Sequence, residues 1–445
     1  MVWHTIVADW RARQIEFAAL PVRYEGILVG HRVTHQVCIT RRLIVVALGL
    51  IVISVGLYFL LTAASWKVSN SRWEKAGFPW IIEHVDPESS AGKMFAGAAR
   101  KTNTDALIVI KSGRIVFEYY SGLPVTRAGK WLSSFQGPNR LYGTASMAKS
   151  LVGSMALLVA VSDGLVRLDD PVALYIEGWD DDSVRSKITV GQLASHSSGI
   201  AHGRKSGLDR SQWEVAFWSN RPDLFERVIE DVRPIFEPGT GYLYSGPAWA
   251  VLGYVVTRSI GTTTSGNVRT LLSERVMKPI GVPDTEWRIG YGKVFNTDGM
   301  ELYAMWGGGR YTARAVARLG QLMLSRGIWD GAELVSSIAV DEILSYAAVR
   351  NPVLKNRPVP VAGWWSNNNG ALQSLSCAAY IAAGVDHQIL IVVPNEDLII
   401  VRFGRKMGRD RWEGDYWDAL DLQLLVPMVR SGFLKTKRSL GNCAS

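Results

Sequence analysis

Ser146-Met147-Ala148-Lys149 begins an apolar stretch that continues to Val159. On a helix, residues three apart share a face, so the amine of Lys149 would lie within reach of the Ser146 hydroxyl. A serine beside a group that can take its proton is an arrangement for nucleophilic catalysis. Taken alone, however, the spacing is explained more simply by a capped amphipathic helix.

Further motifs follow this pair in order along the chain. They are the stretch 193–200 around His196, then Pro238-Gly239-Thr240, Tyr244-Ser245-Gly246 and, near the C-terminus, Tyr380-Ile381-Ala382-Ala383-Gly384. Their order and spacing resemble the serine β-lactamase and penicillin-binding-protein superfamily, on its class C-like, esterase and 6-aminohexanoate-dimer hydrolase branch. The resemblance covers the chain from about Thr104 onward.

The resemblance implies an acyl-enzyme mechanism. Ser146 would be the nucleophile, at a helix N-terminus whose dipole favours developing negative charge on the oxygen. Lys149 would need a lowered pKa to act as a base, or would act as a fixed cation. Tyr244 would be the general base or would share a proton network with Lys149. Ser245 would support that network.

An enzyme that works through an acyl-enzyme also needs hydrogen-bond donors for the oxyanion of the tetrahedral intermediate. The resemblance implies two backbone N–H groups, those of Ser146 and of Val385, which follows Gly384. It also suggests that Trp364 and Trp365 line the acyl pocket, although ordinary core packing explains a tryptophan pair as well.

Two departures from the family pattern concern the substrate. Gly246 replaces the usual Asn of the Y-S-N element, and Ala382-Ala383-Gly384 replaces K-T-G or H-x-G. Losing two polar anchors argues against efficient recognition of β-lactams or D-Ala-D-Ala peptides, since a buried carboxylate without a cation is poorly held. His387 is a candidate replacement cation or a turn or surface residue. His196 is interpreted as a brace for the site rather than a catalytic base.

Composition fits a large folded chain. The chain has 445 residues, 48% of them hydrophobic and 20% charged, which is enough to bury a sizeable core. Its net charge of +9 is dispersed and accompanies no nucleic-acid-binding motif. The histidines and the three cysteines show no metal-ligand spacing, so we expect no metal. The implied acyl-enzyme mechanism needs no cofactor. A Cys377–Cys443 bridge remains open.

An uncharged run from Leu43 to Ala64 is long enough to cross the hydrocarbon core of about 30 Å as a helix. A cleaved signal peptide is the alternative, but the run is long for one. The sequence predicts a cytoplasmic segment 1–42, an anchor 43–64, a linker and the start of the globular part at 65–103, and a hydrolase domain at 104–445. Basic residues favour a cytoplasmic N-terminus, which places a single-pass protein in a bacterial inner membrane with its domain in the periplasm or outside.

The pattern of elements predicts an α+β fold. A hairpin is expected at 106–111 and 114–120, and three strands at 378–383, 388–393 and 398–403. Helices are expected at 146–162, from Asp170-Pro171, at 312–324 and at 416–429. The resemblance implies an antiparallel sheet, flanked by helices and closed by the two ends of the domain, with a helical region inserted.

The sequence therefore predicts a membrane-anchored serine hydrolase that forms an acyl-enzyme on Ser146 and acts on an ester or a linear amide. Two alternatives stay open. One is a β-lactamase or D-Ala-D-Ala carboxypeptidase-like cell-wall enzyme. The other is an inactive binding module on the same fold, because the second and third motifs are eroded.

Overall fold

The computed structural model describes residues 22–28, 31–37, 80–121, 137–201, 221–261, 266–347, 357–409, 415–434 and 443. The chain divides into two units, Met1–Val68 and Ser69–Ser445. In the first, β1 (Val22–Leu28) and β2 (His31–Val37) form an antiparallel hairpin. The predicted anchor 43–64 lies outside the described residues, and no helix within them is long and apolar enough to span a bilayer.

The second unit is built around one large sheet. Its described strands are β3 (Ile81–Ile82), β4 (Thr104–Lys111), β5 (Arg114–Tyr120), β6 (Tyr142–Ala145), β7 (Trp287–Arg288), β8 (Phe295–Thr297), β9 (Met300–Leu302), β10 (Gly309–Tyr311), β11 (Ile328–Trp329), β12 (Ala332–Glu333), β13 (Val359–Val361), β14 (Trp364–Ser366), β15 (Tyr380–Gly384), β16 (Gln388–Val393) and β17 (Leu398–Gly404). Eight of them form the sheet in the order β13-β14-β15-β16-β17-β4-β5-β3. Neighbouring strands are antiparallel except β3 and β5. The pairing of β17 with β4 closes the sheet with the two ends of the domain, as predicted.

The described helices pack on both faces of this sheet and against one another. They are α1 (Ser90–Lys101), α2 (Met155–Ser162), α3 (Val190–Ala194), α4 (Leu224–Asp231), α5 (Gly246–Ile260), α6 (Val268–Leu272), α7 (Ala313–Leu324), α8 (Ser337–Ser345), α9 (Tyr416–Leu420) and α10 (Val426–Arg430). Helix α7 packs against β4, β16 and β17, while α1 packs against β4, β5 and α10. This arrangement is an α+β fold with an antiparallel sheet flanked by helices.

The central strands are mostly apolar because both of their faces are buried. In β4, Leu107 and Val109 lie in the core that also contains Phe95 of α1. The intervening Ile108 and Ile110 lie in the larger core on the other face, with the inserted helical region. Alternation of side chains along a strand explains this division.

One helix prediction was wrong, and two were right in position but not in helix type along their whole length. The predicted helix 146–162 begins later: Ser146 lies in a turn, Lys149–Ser154 is π-helical, and α2 follows. After Asp170-Pro171 there is a single 3₁₀ turn, Val172–Leu174. The predicted helix 416–429 is interrupted by π-helical Asp421–Leu425. Periodicity locates apolar faces but does not distinguish these local hydrogen-bond patterns.

Two of the three cysteines form a disulfide bond, the pairing that the sequence left open. Cys377, just before β15, forms a disulfide with Cys443, and their Cα atoms are 5.3 Å apart. This bond ties the end of the chain to the segment that leads into β15.

Candidate active site

Ser146 lies in a tight turn at the end of β6. A small three-stranded sheet, β6-β10-β7, holds this strand in place. Ala145, directly before Ser146, has a φ of 49°, a conformation that costs a residue with a side chain about 1–2 kcal/mol. The Met147 N–H donates to the Thr144 carbonyl at 3.1 Å and closes the turn. Strained backbone of this kind is typical of functional sites.

Lys149 is a buried amine that forms no ion pair with the described residues. Its side chain is 6% exposed, and its Nζ donates to the Trp306 carbonyl at 2.8 Å. The ammonium lies 4.7 Å from the centre of the Tyr244 ring. Burial lowers the pKa of Lys149 to about 7, because desolvation disfavours the charged form. The lowered pKa makes the neutral amine accessible near neutral pH.

Tyr244 reaches the same site from the start of α5. Its side-chain hydrogen bond with Ser146 acts to lower the pKa of the Tyr244 phenol, but burial outweighs that effect and raises the pKa far above 10. The phenol is therefore neutral in the resting site. Ser245 caps α5, since its Oγ accepts from the Ala248 N–H at 3.1 Å, and this cap fixes the position of Tyr244.

His196 packs against Tyr244 and the residue after it. Its ring stacks on the phenol ring with 4.4 Å between centroids, and its Nδ1 accepts from the Ser245 N–H at 3.0 Å. The His196 carbonyl accepts from the Leu243 N–H at 2.9 Å. These contacts hold the segment 243–245 against the site.

The end of β15 lies directly against the Ser146 turn. A Cβ added at Gly384 would be 2.4 Å from the Thr144 carbonyl oxygen and 3.1 Å from the Met147 nitrogen. Only a glycine permits this approach. The Val385 N–H belongs to the peptide bond that follows Gly384. This peptide therefore lies next to the turn that carries Ser146.

A narrow cleft opens at these residues. Its polar groups come from Ser146, Lys149, His196 and Tyr244, and its apolar wall comes from Pro360, Val361, Trp364, Trp365 and Ala383. Of the described residues that line it, Lys149 is the only lysine, arginine, aspartate or glutamate. The cleft thus offers hydroxyls and one amine against an apolar wall.

The two tryptophans of β14 point to opposite faces of the sheet. Trp364 lies in the larger core, where its Nε1 donates to the Ser154 Oγ at 3.1 Å. Trp365 lies on the other face and contacts Trp417 edge-on at 5.1 Å between ring centroids. Both residues border the cleft although they are only 2% and 8% exposed. Each tryptophan therefore lines the cleft and packs in the core at the same time.

His387 does not replace the missing cation, and it is not on the surface. The residue is fully buried, and burial lowers the pKa of its imidazole to about 4. Its Nδ1 accepts from the Met407 N–H at 3.2 Å, so Nε2 carries the proton and donates to the Tyr416 carbonyl at 2.9 Å. The neutral imidazole therefore stabilises the turn after β15 through these two hydrogen bonds.

Sequence reasoning missed parts of the site that act through the backbone or through loops. The Trp306 carbonyl binds Lys149, and Pro360, Val361 and Gly363 form part of the cleft. A carbonyl leaves no signature in the sequence. The apolar residues before β14 carry no spacing signal either.

Comparison with known proteins agrees with this architecture. The family profile described as Beta-lactamase matches residues 91–423, most of the chain, and the protein belongs to that family of serine hydrolases. A protein of Escherichia coli O157:H7, named as a candidate D-alanyl-D-alanine carboxypeptidase, is 26% identical over 243 residues, which cover 51% of this chain and 52% of that protein. The chain thus matches about half the length of this relative.

Solved structures share the fold. A family VIII carboxylesterase superposes with a TM-score of 0.60 at 18% identity, over 78% of this chain and 99% of the esterase. A protein from Bacillus anthracis, named as a candidate 6-aminohexanoate-dimer hydrolase, superposes with a TM-score of 0.57 at 17% identity. The match covers 80% of this chain and 88% of that protein. At these identities the likeness establishes the fold alone.

Proposed function

We propose that this protein hydrolyses an ester or a linear amide through an acyl-enzyme on Ser146. The observation that carries the proposal is the buried amine of Lys149, which has a pKa lowered to about 7 and lies 4.7 Å from the centre of the Tyr244 ring. The Tyr244 hydroxyl is in turn hydrogen-bonded to Ser146. An amine that is partly neutral at the working pH is suited to general base catalysis.

In the acylation step, the Ser146 Oγ attacks the substrate carbonyl carbon. Neutral Lys149 takes up the proton released by the Ser146–Tyr244 hydroxyl pair, and the N–H groups of Ser146 and Val385 stabilise the oxyanion. When the tetrahedral intermediate collapses, the proton passes from the Lys149–Tyr244 pair to the departing alcohol or amine. Water then repeats the sequence on the acyl-enzyme and releases the acid.

The raised pKa of Tyr244 assigns the two proton-handling residues different roles. A phenol that keeps its proton is a relay between the Ser146 hydroxyl and a base, not the base itself. Lys149 is therefore the group that titrates in the range where a hydrolase works.

The cleft favours an uncharged acyl group. Its wall is apolar, and among the described lining residues no cation besides Lys149 faces it. A substrate carboxylate in the cleft would compete for the amine that must take the proton. This argument places a neutral ester or amide ahead of a β-lactam or a D-Ala-D-Ala peptide, although the named relative from E. coli keeps the carboxypeptidase as a second candidate.

A panel of substrates tests this choice. The full-length protein, with Ser146→Ala as control, is assayed on p-nitrophenyl esters, on linear amides and with a fluorescent penicillin. Ester or amide turnover that disappears in Ser146→Ala supports the proposal. Covalent labelling by the penicillin without ester turnover supports the cell-wall alternative, and inactivity of a folded protein on all three supports the binding module.

We also propose that 43–64 anchors the protein in a bacterial inner membrane, with the hydrolase unit in the periplasm or outside. The apolar run and the basic residues before it support this location. The Cys377–Cys443 disulfide supports it too, because such bonds persist in oxidising compartments. Fractionation of cells with the full chain and with a 43–64 deletion tests it: only the full chain should sediment with membranes.

A further inference from the structure

The carbonyl of Gly384 is held by a tyrosine from the C-terminal helical region. The Tyr416 hydroxyl, at the start of α9, donates to the Gly384 carbonyl oxygen at 2.9 Å. Tyr416 is 1% exposed, and burial raises the pKa of its phenol far above 10. The hydroxyl therefore keeps its proton and acts as the donor in this hydrogen bond.

This contact determines where the next N–H group points. The Gly384 carbonyl and the Val385 N–H belong to one planar trans peptide, in which the two groups point in opposite directions. Holding the oxygen on the Tyr416 side directs the Val385 N–H to the other side. The Cα of Gly384 lies against the Thr144–Met147 turn, so the orientation of this peptide is set next to Ser146.

The donor is itself fixed on several sides. The Tyr416 ring stacks on His387 with 4.0 Å between centroids and 7° between planes, and the Tyr416 carbonyl accepts from the His387 Nε2. The buried guanidinium of Arg402 donates to the His387 carbonyl at 2.7 Å. The turn after β15 is therefore braced against α9 and β17 rather than free to rotate the peptide.

We propose that Tyr416 is a positioning residue for the oxyanion hole, where its hydroxyl orients the Gly384–Val385 peptide so that the Val385 N–H faces the developing oxyanion. The inference rests on the proposed hydrolase function. It assigns to the C-terminal region a role in catalysis that no motif in the sequence indicates.

The variant Tyr416→Phe removes only the hydroxyl, since phenylalanine keeps the ring and its stacking partner. Tyr380→Phe is the matched control: its hydroxyl is also buried, on β15 itself, and has no hydrogen-bond partner among the described residues. In Tyr416→Phe we expect kcat on p-nitrophenyl butyrate to fall by about ten- to a hundredfold, below the loss typical of a missing oxyanion donor, with KM within about twofold. Tyr380→Phe should keep the wild-type values.

A thiono ester distinguishes positioning from general loosening of the site. Sulfur accepts hydrogen bonds poorly, so the ratio of kcat/KM between the oxygen ester and its thiono analogue measures how well the oxyanion donors are aimed. The ratio should shrink in Tyr416→Phe and stay constant in Tyr380→Phe. A fall in activity with an unchanged ratio, or unchanged kinetics, overturns the inference.

Amide hydrogen exchange tests the brace without turnover. Peptides that cover 384–388 should exchange faster in Tyr416→Phe than in Tyr380→Phe, while β16 and β17 remain protected in both. Equal exchange at 384–388 in the two variants contradicts the inference. Absence of hydrolysis by the wild-type protein instead counts against the proposed function, so the two failures are distinguishable.

Discussion

At the scale of single residues, Lys149 determines how the site should respond to pH. Its pKa is lowered to about 7 by burial, and the mechanism needs its neutral form. We therefore expect kcat/KM to rise about tenfold per pH unit below pH 7 and to level off above it. A profile on a neutral ester between pH 5 and 9 measures this. A flat profile, or one that falls with pH in this range, contradicts the assignment of Lys149 as the base.

The same burial has a stability consequence. Between pH 7 and about 10.5, the unfolded chain holds a proton on Lys149 that the folded protein has lost, so the folded state gains stability as pH rises. Lys149→Met lacks this titration and should be inactive but more stable than wild type. The stability gap should narrow by about 1 kcal/mol per unit from pH 7 to 9. Urea unfolding at several pH values measures the gap, and a constant gap would count against the lowered pKa.

Tyr244 should be tested against its neighbour Tyr242. If the Tyr244 hydroxyl relays the proton, Tyr244→Phe should lower kcat by about 10²–10⁴-fold. Tyr242 is also an aromatic residue of this segment and contacts His196 edge-on, yet the mechanism does not use its hydroxyl. Steady-state kinetics should therefore show Tyr242→Phe close to wild type. Equal losses in both variants would indicate a packing role.

At the scale of elements, the approach of β15 to the Ser146 turn is the critical contact. In Gly384→Ala the new Cβ would overlap the Thr144 carbonyl, at 2.4 Å, so the strand must move away from the turn and the Val385 N–H must move with it. We expect kcat to fall by about a hundredfold or more and stability by about 1–3 kcal/mol.

Gly97→Ala is the control for this prediction. Gly97 lies within α1, and a Cβ there would meet no atom within 4 Å. Alanine should stabilise the helix by up to about 1 kcal/mol and leave kcat unchanged. Kinetics and thermal unfolding of both variants check the pair, and wild-type activity in Gly384→Ala would refute the close approach.

The elements also show which features a sequence can reveal. The hairpin β4–β5 and the strands β16 and β17 were predicted, because β-branched runs separated by turn residues follow from local chemistry. The sequence did not predict the π-helical segment after Ser146 or the positive φ of Ala145. Both depend on contacts with distant segments, such as the hydrogen bond from the Ser150 hydroxyl to the Gly363 carbonyl. The Ser146, Lys149 and Tyr244 motifs were visible, whereas Tyr416 was not, because its contact with Gly384 is made by the fold.

At the scale of the whole molecule, the disulfide joins the chain end to the segment before β15. A loop of 66 residues closed in this way is expected to add about 2–4 kcal/mol of stability. Thiol titration of the denatured, non-reduced protein should find one free thiol, that of Cys38. Reduction, or Cys443→Ser, should lower the midpoint of urea unfolding. Three free thiols in protein exported by its host would contradict the bond.

The central claim is that Ser146 is an activated nucleophile, and the most direct measurement is the intact mass of the full-length protein after treatment with a fluorophosphonate. The wild type should gain one adduct, and peptide mapping should place it on Ser146. Ser146→Ala should gain none, while Ser345→Ala, a change at an exposed serine at the end of α8, should react like the wild type. A folded wild-type protein that stays unmodified, or an adduct that persists in Ser146→Ala, would contradict the account.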